Sequence, residues 1–160
     1  MTNPAPFQGR IQTVEAQWAD FNGHLNMAYY HVLFDRAGDE AFSAIGLGPN
    51  YVTQRNATFF TVEAHVSYLA ELKPGDKVRV TTQILDHDAK RVHYVQQMFH
   101  ADEGYLACIT ENMVLHVSME TRRSAPFPAD ILAQIDAIAA AHKGLAIPPQ
   151  VGHRMGIPRK

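Results

Sequence analysis

A polar loop that runs directly into a long apolar segment, over residues 18–46, constrains the fold of this chain more than any other feature. Apolar residues recur there at steps of three and four, the spacing of one face of an α-helix: Met27, Tyr30, Phe34, Ala37, Ala41 and Ile45. Val32, Leu33 and Phe42 extend the apolar surface well beyond that face. Because a helix that is apolar most of the way round must be buried, we expect the rest of the chain to wrap around it.

Both ends of this helix are indicated by the sequence. Asn26 is a good N-cap, because its side chain can accept a hydrogen bond from the first turn, and Gly46 and Pro49 favour termination. The first turn offers unpaired N–H donors and a partial positive charge. Asp20 and His24 lie in the loop just before it, and this combination predicts a site for chemistry on a carbonyl group.

Strands are predicted on both sides of the helix. Alternating or strand-like segments cover residues 10–18, 57–72, 77–86, 91–100 and 105–119. Turn sequences at residues 73–76, 87–90 and 101–104 separate the last four segments, which makes them antiparallel neighbours. In the segment that begins at Ala57, a spacing of two predicts one face toward the core: Phe60, Val62, Ala64, Val66 and Tyr68. The opposite face, with Thr61 and Glu63, is polar enough to line a site or meet a partner.

The order of these elements predicts an α+β arrangement, in which a five-stranded antiparallel sheet wraps around one long helix. A second helix is expected over residues 129–143, followed by an extended tail over residues 145–160. The length of 160 residues suggests a single domain, with a core over residues 10–120. A single sheet leaves edges to cover, so we expect a homo-oligomer.

Composition narrows the range of partners. The chain has 14 basic and 16 acidic residues, which gives no reason to expect a nucleic acid or an anionic membrane. Cys108 is the only cysteine, and the histidines do not form an H-E-x-x-H motif, so no metal is expected. No apolar window approaches the ~20 residues of a membrane span, and we expect a cytoplasmic protein.

The residues around the loop form the motif W-x-D-x-x-G-H-x-N-x-x-x-Y: Trp18, Asp20, Gly23, His24, Asn26 and Tyr30. This motif resembles the opening of hotdog-fold acyl-CoA thioesterases of the 4-hydroxybenzoyl-CoA thioesterase superfamily, and VEAHVSYLAELKPGD resembles their second strand and its turn. Many members carry two acids in a D-x-D-x-x-G-H stretch, and here Trp18 replaces the first. The loop and the tail also resemble thioesterases of carnitine breakdown, which act on betainyl-CoA.

The resemblance implies hydrolysis of a coenzyme A thioester at the interface of a homodimer or a dimer of dimers, with no further cofactor. Asp20 matches the acid that serves as nucleophile or general base. The backbone N–H of Met27 matches the group that polarises the carbonyl. Other branches place the acid elsewhere, which leaves Glu63 as a second candidate.

The remaining motif residues have a structural and a functional interpretation. His24 orients Asp20 or the substrate, or it holds the loop by a hydrogen bond. Asn26 contributes to catalysis indirectly as a cap, and Gly23 permits a positive φ or close approach of the substrate.

Aromatic and basic residues supply the candidate contacts to the substrate. Trp18, Phe21 and Tyr30 either pack in the core or form the wall of an acyl pocket, where they can hold a cationic acyl group by cation–π contact. Lys90 and Arg91 are candidates for the phosphates of coenzyme A.

Two other functions are also compatible with this sequence. One is a hotdog hydratase or dehydratase, which needs an Asp–His pair placed for proton transfer. The other is an acyl-CoA-binding module without turnover, since the fold alone does not fix an activity.

Overall fold

The computed structural model describes residues 5–159. Three helices are present: α1 Met27–Ser43, α2 Tyr51–Arg55 and α3 Ala129–His142. The strands are β1 Phe7–Gln8, β2 Gln12–Thr13, β3 Ala57–Tyr68, β4 Lys77–His87, β5 Arg91–His100 and β6 Leu106–Ser118.

The strands form one antiparallel sheet in the order β1-β4-β5-β6-β3, with β2 also paired to β4. This α+β architecture confirms the predicted sheet around a long helix with a second helix after it. Within the described residues the sheet has six strands, because the two-residue strand β1 precedes the predicted ones. The first strand predicted, over residues 10–18, is reduced to Gln12–Thr13. The N–H of Arg10 donates to a carboxylate oxygen of Glu40 rather than to a strand, and residues 16–18 form a 3-10 turn.

Helix α1 packs against one face of the sheet and begins as the sequence predicts. The Asn26 side chain accepts a hydrogen bond from the N–H of Ala28 at 3.0 Å. The helix ends at Ser43, and Gly46 adopts a positive φ of 86° just beyond it. The buried residues of α1 confirm most of the predicted apolar face: Tyr30, Leu33, Phe34, Ala37, Gly38 and Phe42.

Strand β3 contradicts the predicted core face. Phe60 and Val62 are 45% and 55% exposed, whereas Phe59 packs on Phe42 with a ring-centroid distance of 4.8 Å. The cause is a bulge between Thr61 and Glu63 in the pairing with β6. A bulge inserts an extra residue and therefore reverses the in–out alternation. The residues before the bulge thus face opposite to the prediction.

The outer face of the sheet is covered by the C-terminal segment. Ile109 and Met113 of β6 share one face, and this face meets the tail rather than α1. A turn over residues 149–152 interrupts the predicted extended tail. The N–H of Gly152 in that turn donates to Glu111 at 2.7 Å. Helix α3 packs at the end of the sheet, where His142 accepts a hydrogen bond from the N–H of Ile84.

No helix within residues 5–159 is long and apolar enough to cross a membrane.

Candidate active site

The motif loop forms a tight reversal that feeds the chain into α1. The N–H of Asp20 donates to the carbonyl of His24 at 2.9 Å, and the N–H of Gly23 donates back to the Asp20 carbonyl at 3.0 Å. Gly23 has a φ of 77°, a conformation that suits glycine because it has no Cβ. The N–H of Asn26 then donates to the Trp18 carbonyl at 2.9 Å. These bonds fix the loop against the start of the helix.

The carboxylate of Asp20 uses one oxygen to hold this loop. Its Oδ1 accepts hydrogen bonds from the N–H groups of Asn22 at 2.8 Å and His24 at 3.4 Å. No hydrogen bond from residues 5–159 reaches its Oδ2. The side chain is half-buried, so one carboxylate oxygen is anchored and the other is available to a substrate or a water molecule.

The imidazole of His24 does not contact Asp20. Its Nε2 lies 2.8 Å from a carboxylate oxygen of Glu71, and only its backbone N–H meets the Asp20 carboxylate. Glu71 stands next to Leu72, whose carbonyl accepts the N–H of Leu25 at 2.7 Å. The structure therefore favours the interpretation of His24 as a residue that holds the loop. Glu71 was not predicted, because nothing local in the sequence connects it to the motif.

Met27 is the first residue of α1, and its N–H has no acceptor within residues 5–159. Asn26 caps the next donor, the N–H of Ala28, and leaves that of Met27 free. The Met27 carbonyl accepts a hydrogen bond from the hydroxyl of Tyr68 at 3.2 Å. A free N–H at the positive end of a long helix can donate a hydrogen bond to a carbonyl oxygen on which negative charge develops.

The predicted aromatic residues have different environments. Trp18 is buried, stacks on Tyr29 with centroids 5.5 Å apart, and carries the Arg36 guanidinium 5.2 Å from its centroid. Tyr30 is buried, and burial is the main cause that raises its pKa to about 12. These two rings therefore pack in the core next to the loop. Phe21 is 97% exposed at the loop tip, so it does not form a pocket wall within one protomer.

Thr61 and Glu63 lie far from the helix start in the same protomer. Tyr68 contacts Met27, and Thr61 and Glu63 precede it by seven and five residues, about 23 and 16 Å along a strand. Thr61 lines a cavity of about 380 Å³ on the helix side of the sheet, together with acidic and aromatic residues that include Asp35.

Glu63 lines a separate cavity of about 630 Å³ beneath the tail. In this cavity His93 pairs with Glu111 at 2.7 Å. Burial alone would raise the pKa of Glu111, but the hydrogen bonds from the Gly152 N–H and from His93 outweigh it and lower that pKa. Glu111 therefore fastens the tail to the sheet as a carboxylate.

Lys90 and Arg91 are also distant from the loop. Lys90 and Arg91 follow the C-terminal end of β4, whereas Lys77 begins that strand. The two ends of this 11-residue strand are about 33 Å apart. Arg91 pairs with Asp88 at 2.6 Å, and that hydrogen bond is the main reason that the pKa of Asp88 falls to about 2. Neither basic residue reaches Asp20 within one protomer.

Cys108 offers no alternative nucleophile. Its side chain is fully buried, and burial raises the pKa of the thiol to about 12. A thiol with so high a pKa stays protonated and unreactive at neutral pH.

Comparison with known proteins agrees with this geometry. A family model described as the thioesterase-like superfamily matches residues 14–135. A betainyl-CoA thioesterase from Pseudomonas aeruginosa is 39% identical over 142 residues, which are 89% of each chain. An L-carnitine dehydrogenase/betainyl-CoA thioesterase from Rhizobium meliloti is 34% identical over 143 residues, which are 89% of this chain and 29% of that longer protein.

Solved structures show the same fold. A Staphylococcus aureus protein in complex with CoA has a TM-score of 0.91 and 32% identity, over 99% of this chain and 98% of that chain. A Pseudomonas putida protein has a TM-score of 0.83 and 32% identity, over 96% of this chain and 98% of that chain. The chain belongs to the thioesterase-like superfamily and is a hotdog-fold thioester hydrolase.

Proposed function

We propose that this protein hydrolyses an acyl-CoA thioester, with betainyl-CoA as the substrate. The observation that carries the proposal is the free N–H of Met27 beside the Asp20 loop, in a chain 39% identical to a betainyl-CoA thioesterase. Neither a hydratase nor a binding module is favoured, because the His24 imidazole is held by Glu71 and the family is one of hydrolases.

The proposed reaction uses two groups of the loop–helix junction. The thioester carbonyl accepts a hydrogen bond from the Met27 N–H, and the helix dipole stabilises the negative charge that develops on the oxygen. A donor of this kind is worth about 2.7–4 kcal/mol in other enzymes. The free Oδ2 of Asp20 attacks the carbonyl carbon to form a mixed anhydride, or it activates a water molecule. The thiolate of coenzyme A then leaves. In the anhydride route a water molecule next hydrolyses the anhydride, which releases the free acid and restores the Asp20 carboxylate; in the water route the acid is released directly.

The substrate contacts missing from one protomer are assigned to a partner. Strand β3 lies at the edge of the sheet with Phe60 and Val62 exposed, and an unpaired apolar edge favours pairing with another strand. Antiparallel pairing of two β3 strands would join two sheets and bring the partner chain to the end of β3 at Tyr68. A homodimer or dimer of dimers built in this way can supply the coenzyme A contacts, including Lys90 and Arg91 of the other copy.

No metal or cofactor enters the proposed chemistry, because a carboxylate and a backbone donor suffice for thioester hydrolysis. We assign the enzyme to the cytoplasm, since its one cysteine is a buried free thiol and nothing in its sequence indicates an oxidising compartment.

The test is a thiol-release assay with betainyl-CoA on the wild type and on Asp20→Asn. Asparagine keeps an oxygen that can accept the two loop hydrogen bonds, so the loop geometry is preserved while the nucleophile or base is lost. We expect kcat to fall at least 100-fold. Asp102→Asn, in the exposed turn between β5 and β6, is the matched control and should keep wild-type kcat. Full activity of Asp20→Asn would refute the role of Asp20, and turnover of other acyl-CoA thioesters but not betainyl-CoA would refute the substrate.

A further inference from the structure

We propose that the ring of Tyr68 binds the quaternary ammonium group of the acyl chain and thereby sets the substrate preference of this enzyme. This inference rests on the proposed hydrolysis of betainyl-CoA, whose acyl group carries a trimethylammonium cation next to the thioester.

Tyr68 is fixed at the start of α1 by two contacts. Its hydroxyl donates to the Met27 carbonyl at 3.2 Å. Its ring meets Tyr30 edge to face, with centroids 5.2 Å apart and planes at 80°, and Tyr30 is itself held in the core by burial and by a hydrogen bond to the Ala70 carbonyl. Tyr68 nevertheless remains 42% exposed. The ring of Tyr68 therefore presents an ordered, exposed aromatic face beside Met27, the residue whose N–H is the proposed oxyanion donor.

The short acyl group restricts where its cation can lie. In a betainyl thioester the nitrogen is two bonds, about 2.5 Å, from the carbonyl carbon. With the carbonyl oxygen about 2.9 Å from the Met27 nitrogen, the cation stays within a few ångströms of the first turn of α1. A cation–π contact operates within about 6 Å of a ring centroid, and the hydrogen bond from the Tyr68 hydroxyl to the Met27 carbonyl keeps the Tyr68 ring close to this turn.

The same distances exclude the acidic cavity on the helix side of the sheet as the site of this cation. Asp35 and Asp39 line that cavity, but they lie eight and twelve residues after Met27. At a rise of 1.5 Å per residue these positions are about 12 and 18 Å along the helix. A trimethylammonium group attached to a carbonyl at Met27 is too short to reach either carboxylate in the same protomer.

The other aromatic residues near the loop are less suitable. Trp18 is buried, and the positively charged Arg36 guanidinium already lies over its ring, 5.2 Å from the centroid. Tyr29 stacks on Trp18, and Tyr30 is buried. Within the described residues, Tyr68 is the exposed ring that has a hydrogen bond to Met27.

The experiment compares betainyl-CoA with 3,3-dimethylbutanoyl-CoA, the neutral isostere in which carbon replaces the quaternary nitrogen. The measured quantity is the ratio of kcat/KM for the two substrates, so losses common to both substrates cancel. For Tyr68→Leu we expect the ratio to fall about 5- to 30-fold, the range of a partly to fully desolvated cation–π contact. Tyr68→Phe keeps the aromatic face and should keep the ratio, even if loss of the hydroxyl lowers kcat for both substrates.

Fluorinated phenylalanines at position 68 provide a second test that leaves the size of the ring nearly unchanged. One, two and three fluorine atoms weaken the negative face of the ring in steps, so kcat/KM should fall stepwise for betainyl-CoA and stay level for the isostere. A ratio unchanged in Tyr68→Leu and across this series overturns the proposal, as does an equal fall for both substrates, which shows a purely structural role. If the wild type does not hydrolyse betainyl-CoA at all, the proposed function fails first and this inference with it.

Discussion

Replacement of Asn26 by aspartate should separate the stability of α1 from catalysis. The Asn26 side chain caps the helix through the N–H of Ala28, and aspartate caps as well as asparagine does. Its negative charge also interacts favourably with the helix N-terminus, by about 0.3–1 kcal/mol. We therefore expect Asn26→Asp to unfold at the same urea concentration as the wild type or a slightly higher one.

Catalysis should respond in the opposite direction. The oxyanion proposed to form at the Met27 N–H lies next to residue 26, and two like charges ~6 Å apart at an effective dielectric constant of ~20 repel by about 2–3 kcal/mol. Since each 1.36 kcal/mol changes a rate tenfold, kcat should fall roughly 30- to 150-fold. The repulsion acts on the charge that develops in the transition state, so we expect a larger effect on kcat than on KM.

The assay pairs urea unfolding with thiol release from betainyl-CoA, and Asn26→Ser is the neutral control because serine also caps. Serine should keep kcat within a few-fold of the wild type. If Asn26→Asp is as active as Asn26→Ser, the negative charge does not reach the reacting oxygen. In that case the Met27 N–H is not the oxyanion donor.

Two further predictions concern the scaffold. Leu33 is fully buried in the core around α1. Leu33→Ala should therefore lower the free energy of unfolding, measured by urea titration, by about 2.7–5 kcal/mol. A loss below 1 kcal/mol would show that the core collapses around the cavity. The pKa of Glu111 is lowered in the folded protein, so its contribution to stability is present above the usual glutamate pKa of about 4.3 and is lost as pH falls through the lower folded value. Glu111→Gln should therefore be less stable than the wild type at pH 7, and the two proteins should become equally stable in acid. A difference in stability that widens in acid would contradict this assignment.

The sequence predicted the features that depend on neighbouring residues. The start of α1 at Met27, the cap at Asn26 and the positive φ of Gly46 all follow from short-range hydrogen bonding and sterics. The turn around Asp20 was predictable for the same reason, because the hydrogen bonds to its carboxylate span four residues or fewer. These are the parts of the site that a motif can specify.

Features that depend on tertiary contacts were not predictable in this way. The bulge at Thr61–Glu63 appears only in the register of β3 against β6, and without it a period of two places Phe60 and Val62 in the core. Lys90 and Arg91 look like phosphate ligands by type, but the length of β4 places them at the other end of the sheet. Tyr68 lies after the bulge and does pack on the buried Tyr30, but its exposure and its hydrogen bond to Met27 depend on tertiary contacts.

The charge distribution at the start of α1 fits the proposed role of the Met27 N–H better than it serves the stability of the helix. Acidic residues in a first turn stabilise a helix by about 0.3–1 kcal/mol each, yet the first turn of α1 contains none. The nearby acid, Asp20, stands outside the helix and uses one oxygen for the N–H groups of the loop, so it does not occupy the Met27 N–H. An aspartate within the first turn would neutralise the positive end of the dipole and compete with the substrate carbonyl for that donor. The helix thus lacks a small stabilisation, but its positive end and the Met27 N–H stay available to the carbonyl oxygen of the proposed reaction. A negative charge introduced at position 26 should therefore slow the reaction without unfolding the protein.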